Sequence, residues 1–223
     1  MKYAIIVPAR KGSQDLKNKN LIDLNNKKLI EYTFETVKSF KILKFILSDD
    51  LKIKKIAEKY GFITDYTRPR IVSGSKTSLI RTLLHFLEWS RKKYQIDYFV
   101  ILQPTSPLRS RFDILESIKK VKNKKLISLF SISQSLEHPY EAINLSKNEK
   151  WNYVLSKAIK FYRRQDFDIN SYFINGAIYI VSTEYLNSKK SLISNKHGFY
   201  IMPKIRSLDI NDLQDLEIAK KIL

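Results

Sequence analysis

Ile5-Ile6-Val7-Pro8-Ala9-Arg10-Lys11-Gly12-Ser13-Gln14-Asp15-Leu16-Lys17-Asn18-Lys19-Asn20 is the stretch whose reading decides the fold. The apolar run Tyr3–Val7 suits a buried strand, and Pro8, which has no N–H for a ladder, stops it. Arg10, Gly12, Ser13, Lys17 and Lys19 follow at once. A strand that ends in a basic, glycine-bearing loop is where α/β proteins bind phosphates. Gly12 lets the backbone approach an anion, Arg10 offers a planar fork and Lys19 a point charge. On this loop alone, a solvated basic turn explains the same residues.

The composition bounds what such a loop can belong to. The chain has 223 residues, enough for one α/β domain spanning 1–223 with perhaps one insertion. With 43% hydrophobic and 28% charged residues it is globular and not disordered. It has no cysteine, which excludes disulfides and thiolate metal sites. No apolar run approaches a membrane span and no signal-peptide pattern opens the chain, so a cytoplasmic protein with no membrane partner is expected. The formal charge of +19 admits nucleic acid, acidic lipid or an anionic small substrate. The lysines are spread along the chain instead of forming one arm, and the chain is rich in Ile and Asn, so biased codon usage can account for part of the excess.

Beyond the first strand, strand-like and helix-like patterns alternate. Helical stripes are predicted over Lys28–Phe40, Leu51–Tyr60 with Gly61 as the C′ residue, Ser78–Lys93, Arg111–Val121 and Asp212–Leu223. Strands are predicted over Phe45–Leu47, Phe62–Thr64, Tyr98–Leu102, Leu126–Ser131 and Asn175–Val181. This rhythm predicts a doubly wound, mostly parallel sheet covered on both faces, with Tyr98–Leu102 central. Right-handed crossovers would then put the strand C-termini on one edge, where ligands bind. Residues 134–172 break the rhythm and are expected to be an excursion for substrate contacts or a subunit interface.

Three further segments carry chemistry. Leu102-Gln103-Pro104-Thr105-Ser106-Pro107-Leu108-Arg109 follows the central strand, and its prolines stiffen a turn that presents Gln103, Thr105 and Ser106 at the sheet edge. Arg109 could grip a carboxylate or simply lead into the next helix, for which Ser110 is an ordinary N-cap. Asn175-Gly176-Ala177-Ile178-Tyr179 admits close approach of a ligand or of another backbone. Asp209-Ile210-Asn211-Asp212 joins a strand to a helix, where hard oxygens suit Mg²⁺. Helix capping is the competing account there, and it suits Asp212 and Asp215 better than Asp209.

Together these segments resemble the cytidylyltransferases that activate acidic sugars, most closely the CMP-N-acylneuraminate (CMP-sialic acid) synthetase family. The family's opening signature appears in altered form at Pro8–Asn20. Asp49 is kept after the second strand, as are Arg68-Pro69, the intact string Leu102–Arg109, Arg164-Gln165 and Asn175–Tyr179. The resemblance implies a homodimeric nucleotidyltransferase using CTP, an acidic nine-carbon sugar and Mg²⁺, and working toward cell-surface glycan. It implies that Arg10, Gly12, Ser13 and Lys19 hold the triphosphate. Asn20, Arg68 and Ser78 would contact the nucleoside. Gln103, Ser106, Arg164, Asn175 and Tyr179 would line the sugar pocket, and Asp209 with Asn211 would hold the metal. Arg10, Lys19 and Asp209 would carry catalysis. Residues 134–172, with Phe161 and Tyr162, would reach across a dimer.

The chain departs from the pattern at Gln14, Asp15, Lys17, Ser75 and Asn211, where the family has Lys, Gly, Pro, Asp and Asp. Asn211 removes a charge from the metal site. These departures leave two readings within the family, an active enzyme for an uncommon nonulosonic acid and a drifted paralogue. Glu141 stands where members that take sialic acid tend to be basic. Outside the family, a basic nucleic-acid-binding module remains. The basic residues lack the interleaved aromatics of a stacking platform, so no nucleic-acid partner is expected.

Overall fold

The computed structural model describes residues 1–12, 16, 18–74, 77–155, 163–167 and 169–223. The expected positions Ser13, Gln14, Asp15, Lys17, Ser75, Phe161 and Tyr162 lie outside them. The first half holds β1 (Tyr3–Pro8), β2 (Asp23–Leu24), β3 (Lys27–Lys28), α1 (Leu29–Val37), β4 (Leu43–Leu47), α2 (Leu51–Lys59), α3 (Leu79–Ser90) and β5 (Tyr98–Leu102). The second holds α4 (Arg111–Lys124), β6 (Ser128–Gln134), β7 (Ile143–Leu145), β8 (Trp151–Tyr153), β9 (Tyr172–Ser182), α5 (Thr183–Lys189), β10 (His197–Ile201) and α6 (Leu213–Ile222).

A six-stranded sheet in the order β10-β6-β9-β5-β1-β4 forms the centre. Ala4 to Val7 of β1 are fully buried in succession, as a strand covered on both faces requires. Alternate residues feed opposite layers. Ile5, Val7, Ile46, Val100 and Ile180 pack with Phe34 of α1, Ile53 of α2 and Ile114 of α4. Ala4, Ile6, Phe45, Phe99 and Val181 pack with Leu83, Phe86 and Leu87 of α3 and Leu186 of α5. A third cluster, Leu24, Leu29, Ile210, Leu216 and Ala219, seats α6 on the β2–β3 hairpin. The helix starts follow side-chain chemistry. Ser110 and Asp113 form a capping box, Asp212 and Asp215 another, and Gly61 takes φ +73° after α2.

Three expectations are corrected. Phe62–Thr64 is not a strand, because only Ile63 bridges Phe45 before the chain leaves to bury Tyr66 against Phe86. The strand at Asn175–Val181 extends over Tyr172–Ser182 and runs antiparallel to both β5 and β6. The excursion returns the chain to the cleft edge, so β9 brings its beginning there and not its end. Finally, α5, β10 and the β2–β3 hairpin were not foreseen. Residues 134–172 contain the small β7–β8 hairpin, paired from Ile143–Tyr153 to Leu145–Trp151 and separate from the main sheet.

Asp113 pins the far side of this sheet. It is wholly buried and accepts from Arg206 Nε and Nη2 at 3.0 and 2.9 Å, from Tyr200 at 3.1 Å and from Ser110. Burial pushes its carboxyl up, but Arg206 and the Ser110 hydroxyl and N–H outweigh it, and the net direction is down. Asp113→Ala is expected to cost about 3 kcal/mol, since it strands a partly buried guanidinium. The sign in pH follows from the lowered pKa. Asp113's contribution is complete above its unfolded value of about 3.9 and fades as pH falls toward the folded value. Urea unfolding of wild type and Asp113→Asn between pH 3 and 7 checks this: the variant's acid-side slope should be shallower.

Candidate functional site

The cleft opens where β1 and β5 end. A cavity of about 240 Å³ is lined by Arg10, Gly12, Lys19, Asn20, Arg68, Gln103 and Thr105, with Pro8, Thr77, Leu79, Thr82 and Pro104. Each wall has a local cause. Lys11 N–H donates to Asp49 Oδ1 at 2.6 Å, and Asn20 Nδ2 donates to the Arg10 carbonyl at 3.3 Å, so the loop after β1 is tied at both ends. Gly12 sits at φ +74°, with nothing within 4 Å of where a Cβ would stand. A side chain there would be strained and would project into open space, while glycine leaves the backbone accessible.

The electrostatics are one-sided. Lys19 is only 8% exposed, yet no carboxylate pairs with its ammonium among the described residues. Arg68 is 6% exposed and spends its Nε on the Val72 carbonyl at 2.7 Å. Burial lowers the Arg68 pKa and Arg10 adds to the lowering, while Asp49 opposes it. Two guanidiniums within each other's field and a nearly buried ammonium form a site that an anion would neutralise.

The floor is built by Arg109. It is 2% exposed, and its Nη1 donates to the carbonyls of Gln103 at 3.2 Å and Ala177 at 2.7 Å. Its Nη2 donates to Thr33 Oγ1 at 2.9 Å. Burial pushes its pKa down to about 9 against the pull of Asp113. Arg109 therefore grips backbone instead of a carboxylate, and it joins the turn after β5 to β9 and α1. Above it, Gly176 at φ +75° lies against the Gln103 amide, 3.5 Å from where a Cβ would be.

The remaining expected residues divide. Asn175 is buried, and its Oδ1 accepts from Ser131 Oγ and from Ala177 N–H at 3.1 Å. Its Nδ2 donates to Ser207 Oγ at 3.0 Å, so its amide locks β9 to β6 and to the segment before Leu208 and does not face the cleft. Ser106 is buried with its Oγ unpartnered. Ser78 caps α3, accepting from Arg81 N–H at 3.3 Å. Arg164 falls in the short 3₁₀ turn Arg164–Asp166, and its side chain lies outside the described residues. Tyr179 is half-buried, and its pKa is raised first by burial and then by the charge of Asp209.

Asp209 lies at the head of a second cleft of about 580 Å³, walled by Phe173, Ile205, Leu208 and Ile218. Ile210 N–H donates to the Thr105 carbonyl at 2.8 Å, which couples this segment to the first cleft. Asp209 Oδ1 is buried without a hydrogen-bond partner, and its Oδ2 accepts from Asn211 Nδ2 at 3.1 Å. Asn211, expected as an oxygen ligand, thus turns its amide nitrogen inward and orients Asp209. Among the described residues there is no cluster of three or more acidic or histidine side chains fit for a metal. Thr105 lines the first cleft, as its place at the sheet edge predicts, and so do Thr77 and Thr82, to which sequence reasoning gave no role. Thr82 was findable, because it stands one helical turn after Ser78 on the same face of α3.

A sheet with helices on both faces and a cationic cleft at its carboxyl edge defines the class of α/β nucleotide-binding proteins. The family model described as cytidylyltransferase matches residues 4–218, and the chain belongs to that family. It is 29% identical to an N-acylneuraminate cytidylyltransferase of Escherichia coli O18:K1:H7 over 98% of its own length and 51% of that protein's. It is 28% identical to a pseudaminic acid cytidylyltransferase of Campylobacter jejuni over 99% of its length and 95% of the relative's. The chain therefore spans about half of the first protein and nearly all of the second. The solved structure of CMP:2-keto-3-deoxy-manno-octonic acid synthetase in complex with CTP superposes with a TM-score of 0.71. That match covers 100% of this chain and 98% of the other at 14% identity, and it speaks to the fold.

Gly176→Ala should cost about 1–2 kcal/mol from the left-handed backbone alone. It should also press on Gln103. A thermal melt reads the first effect. A rise in half-saturating substrate concentration beyond what a wild type equally destabilised elsewhere shows reads the second.

Proposed function

We propose that the chain is a cytidylyltransferase that joins CTP to an acidic nonulosonic sugar, giving the CMP-sugar and pyrophosphate. The observation that carries this is the trio Arg10, Lys19 and Arg68 around one small cleft, with no carboxylate among its described lining residues. Such a site fits a triphosphate, whose charge it would neutralise and whose oxygens it would orient. Family membership supplies the base, and the relatives' printed names supply the sugar class.

In this reading the sugar's anomeric hydroxyl attacks the α-phosphorus. One P–O bond forms, the bond to the β-phosphate breaks, and pyrophosphate leaves with the electron pair while the hydroxyl gives up its proton. Arg10 and Lys19 hold the departing charge, and Gly12 lets the loop backbone close on it. Gln103, held by Arg109, sets the wall along which nucleotide and sugar meet. Among the described residues lining the two clefts, Asp209 is the one carboxylate, and it stands at their junction. Its buried, unpartnered Oδ1 fits a hard divalent cation, because a buried carboxylate oxygen without a donor is otherwise costly. Mg²⁺ bound there would supply charge neutralisation on the phosphates. Asn211 steadies the other oxygen. The exposed apolar side chains of the β7–β8 hairpin, Leu145 and Trp151, support a homodimer built on that excursion. Work in the cytoplasm, toward surface glycan, fits this substrate class.

The test is pyrophosphate release from CTP and Mg²⁺ with a panel of nonulosonic acids. Turnover with at least one acid, and none without sugar, is the expected result. Absence of any heat of CTP binding, with or without Mg²⁺, would overturn the proposal. Arg10→Ala and Asp209→Ala should each lower turnover about 100-fold or more with the melting temperature little changed. Lys19→Met should weaken CTP binding by about 1.5–3 kcal/mol, the range for hydrogen bonds to a charged group. Asn211→Asp would set two carboxylates side by side, so the Mg²⁺ concentration at half-maximal rate should fall. An unchanged value removes position 211 from the cation site.

A further inference from the structure

The cleft uses few of the cations that give the chain its charge of +19. A group of the rest gathers at the opposite edge of the sheet. The strand register fixes that edge: Tyr3 is level with Tyr98, Tyr98 with Ser182, Ser128 with Val181, and His197 with Ser128. Hydrogen bonds between the adjoining loops close it. Asp97 N–H donates to the Lys2 carbonyl at 2.8 Å, Thr183 N–H to Asp97 at 2.9 Å, Ser182 N–H to Ile127 at 2.9 Å and Ile127 N–H to Lys196 at 3.0 Å. Helices that return from the cleft end on this edge, so α1, α2, α3 and α4 deliver Lys41, Lys59, Lys93 and Lys125, while Lys2 and Lys196 precede β1 and β10.

All six are exposed, and none is in an ion pair among the described residues. Cations at helix C-termini are favoured by the backbone dipole, which accounts for one or two per helix end. It does not account for Lys2 and Lys196 at strand starts, nor for a run of three at the end of α3, where Arg91 is the C-cap and Lys92 and Lys93 follow. Asp97 lies on the same edge, where it accepts from the Lys2 N–H at 2.7 Å and pairs with the N-terminal ammonium at 3.8 Å.

We propose that this edge docks the protein on an anionic phospholipid surface. Six strands at the usual spacing span roughly 24 Å, a broad face with charge along its whole length. The cations are almost all lysine, which suits diffuse attraction to headgroups better than the forked, base-reading contacts of arginine. The rings near the edge pack on one another, Tyr3 on Tyr98 and Trp89 against Tyr94, so none stands out as a stacking platform for single-stranded nucleic acid. Because the edge lies opposite the cleft, docking leaves the cleft facing the aqueous side. This departs from the sequence expectation of no membrane partner, and it stands independently of the proposed activity.

Sedimentation of the full chain with extruded vesicles tests it. Vesicles of phosphatidylcholine with about 30% phosphatidylglycerol should pellet the protein at low salt and release it as ionic strength rises, while pure phosphatidylcholine should not pellet it. Lys41→Glu/Lys93→Glu should reduce partitioning about tenfold or more, with CTP binding unchanged. The control Lys52→Glu/Lys204→Glu, equal in charge but at the carboxyl edge of the sheet just after β4 and β10, should reduce it far less. An equal loss in the control would show net charge alone at work and overturn the proposal. So would failure to bind anionic vesicles, or tighter binding to duplex DNA than to vesicles through the same lysines.

Discussion

The guanidinium of Arg109 is buried under the cleft and gives its two Nη groups to two backbone carbonyls and a threonine hydroxyl, while its Nε has no hydrogen-bond partner. That arrangement constrains the rest. Carbonyls at the end of β5 and within β9 need a donor at this depth, and a side chain that brings several N–H groups at fixed angles serves both at once. The turn carrying Gln103 cannot move relative to Gly176 while this holds. The same contacts offset part of the cost of desolvating a charge, so losing any of them leaves the floor badly unstable.

A second network extends that floor toward the acid-bearing segment. Asn175 links Ser131 at the β6 bulge to Ser207, two residues before Asp209. Asp113 holds Arg206 immediately upstream. Asp209 is therefore anchored from behind by polar contacts on both sides, and Ile210 fixes its height through Thr105. The two clefts keep their relation because backbone, and not only side chains, joins them. Positive charge is divided between a few sheltered groups at the cleft and many solvated ones at the far edge. Only the sheltered set is placed where desolvation makes each charge count.

Much of this was legible in the residues. The strand over Tyr98–Leu102 and the caps at Ser110 and Asp212 rest on local rules, and they fall where those rules put them. Arg10, Lys19, Arg68 and Gln103, separated by up to 93 positions (103 less 10), line one cavity, as a ligand site at the carboxyl edge of a parallel sheet predicts. What escaped depends on tertiary choice. Nothing in Tyr172–Ser182 announces strand direction, because the apolar run Ala177–Val181 reads the same in parallel and antiparallel company. β10 was hidden because His197-Gly198-Phe199-Tyr200-Ile201 holds a glycine and a histidine, and it becomes a strand only by pairing with β6. Asn175 drew a ligand role from its motif. Its inward orientation is set by Ser131, a partner 44 positions away that no local pattern reveals.

The reversed direction of β9 has a consequence for how the chain reaches this structure. β9 lies between β5 and β6, yet it follows both in sequence, after the whole excursion. Until it arrives, the inner borders of β5 and β6 carry unpaired backbone donors and acceptors. Two half-sheets must wait for one late insertion to be welded together. Pairings so distant along the chain are slow to form, and open borders meanwhile invite a neighbour's strand. The step that completes the cleft floor is thus also the step at which this protein is most exposed to misassembly.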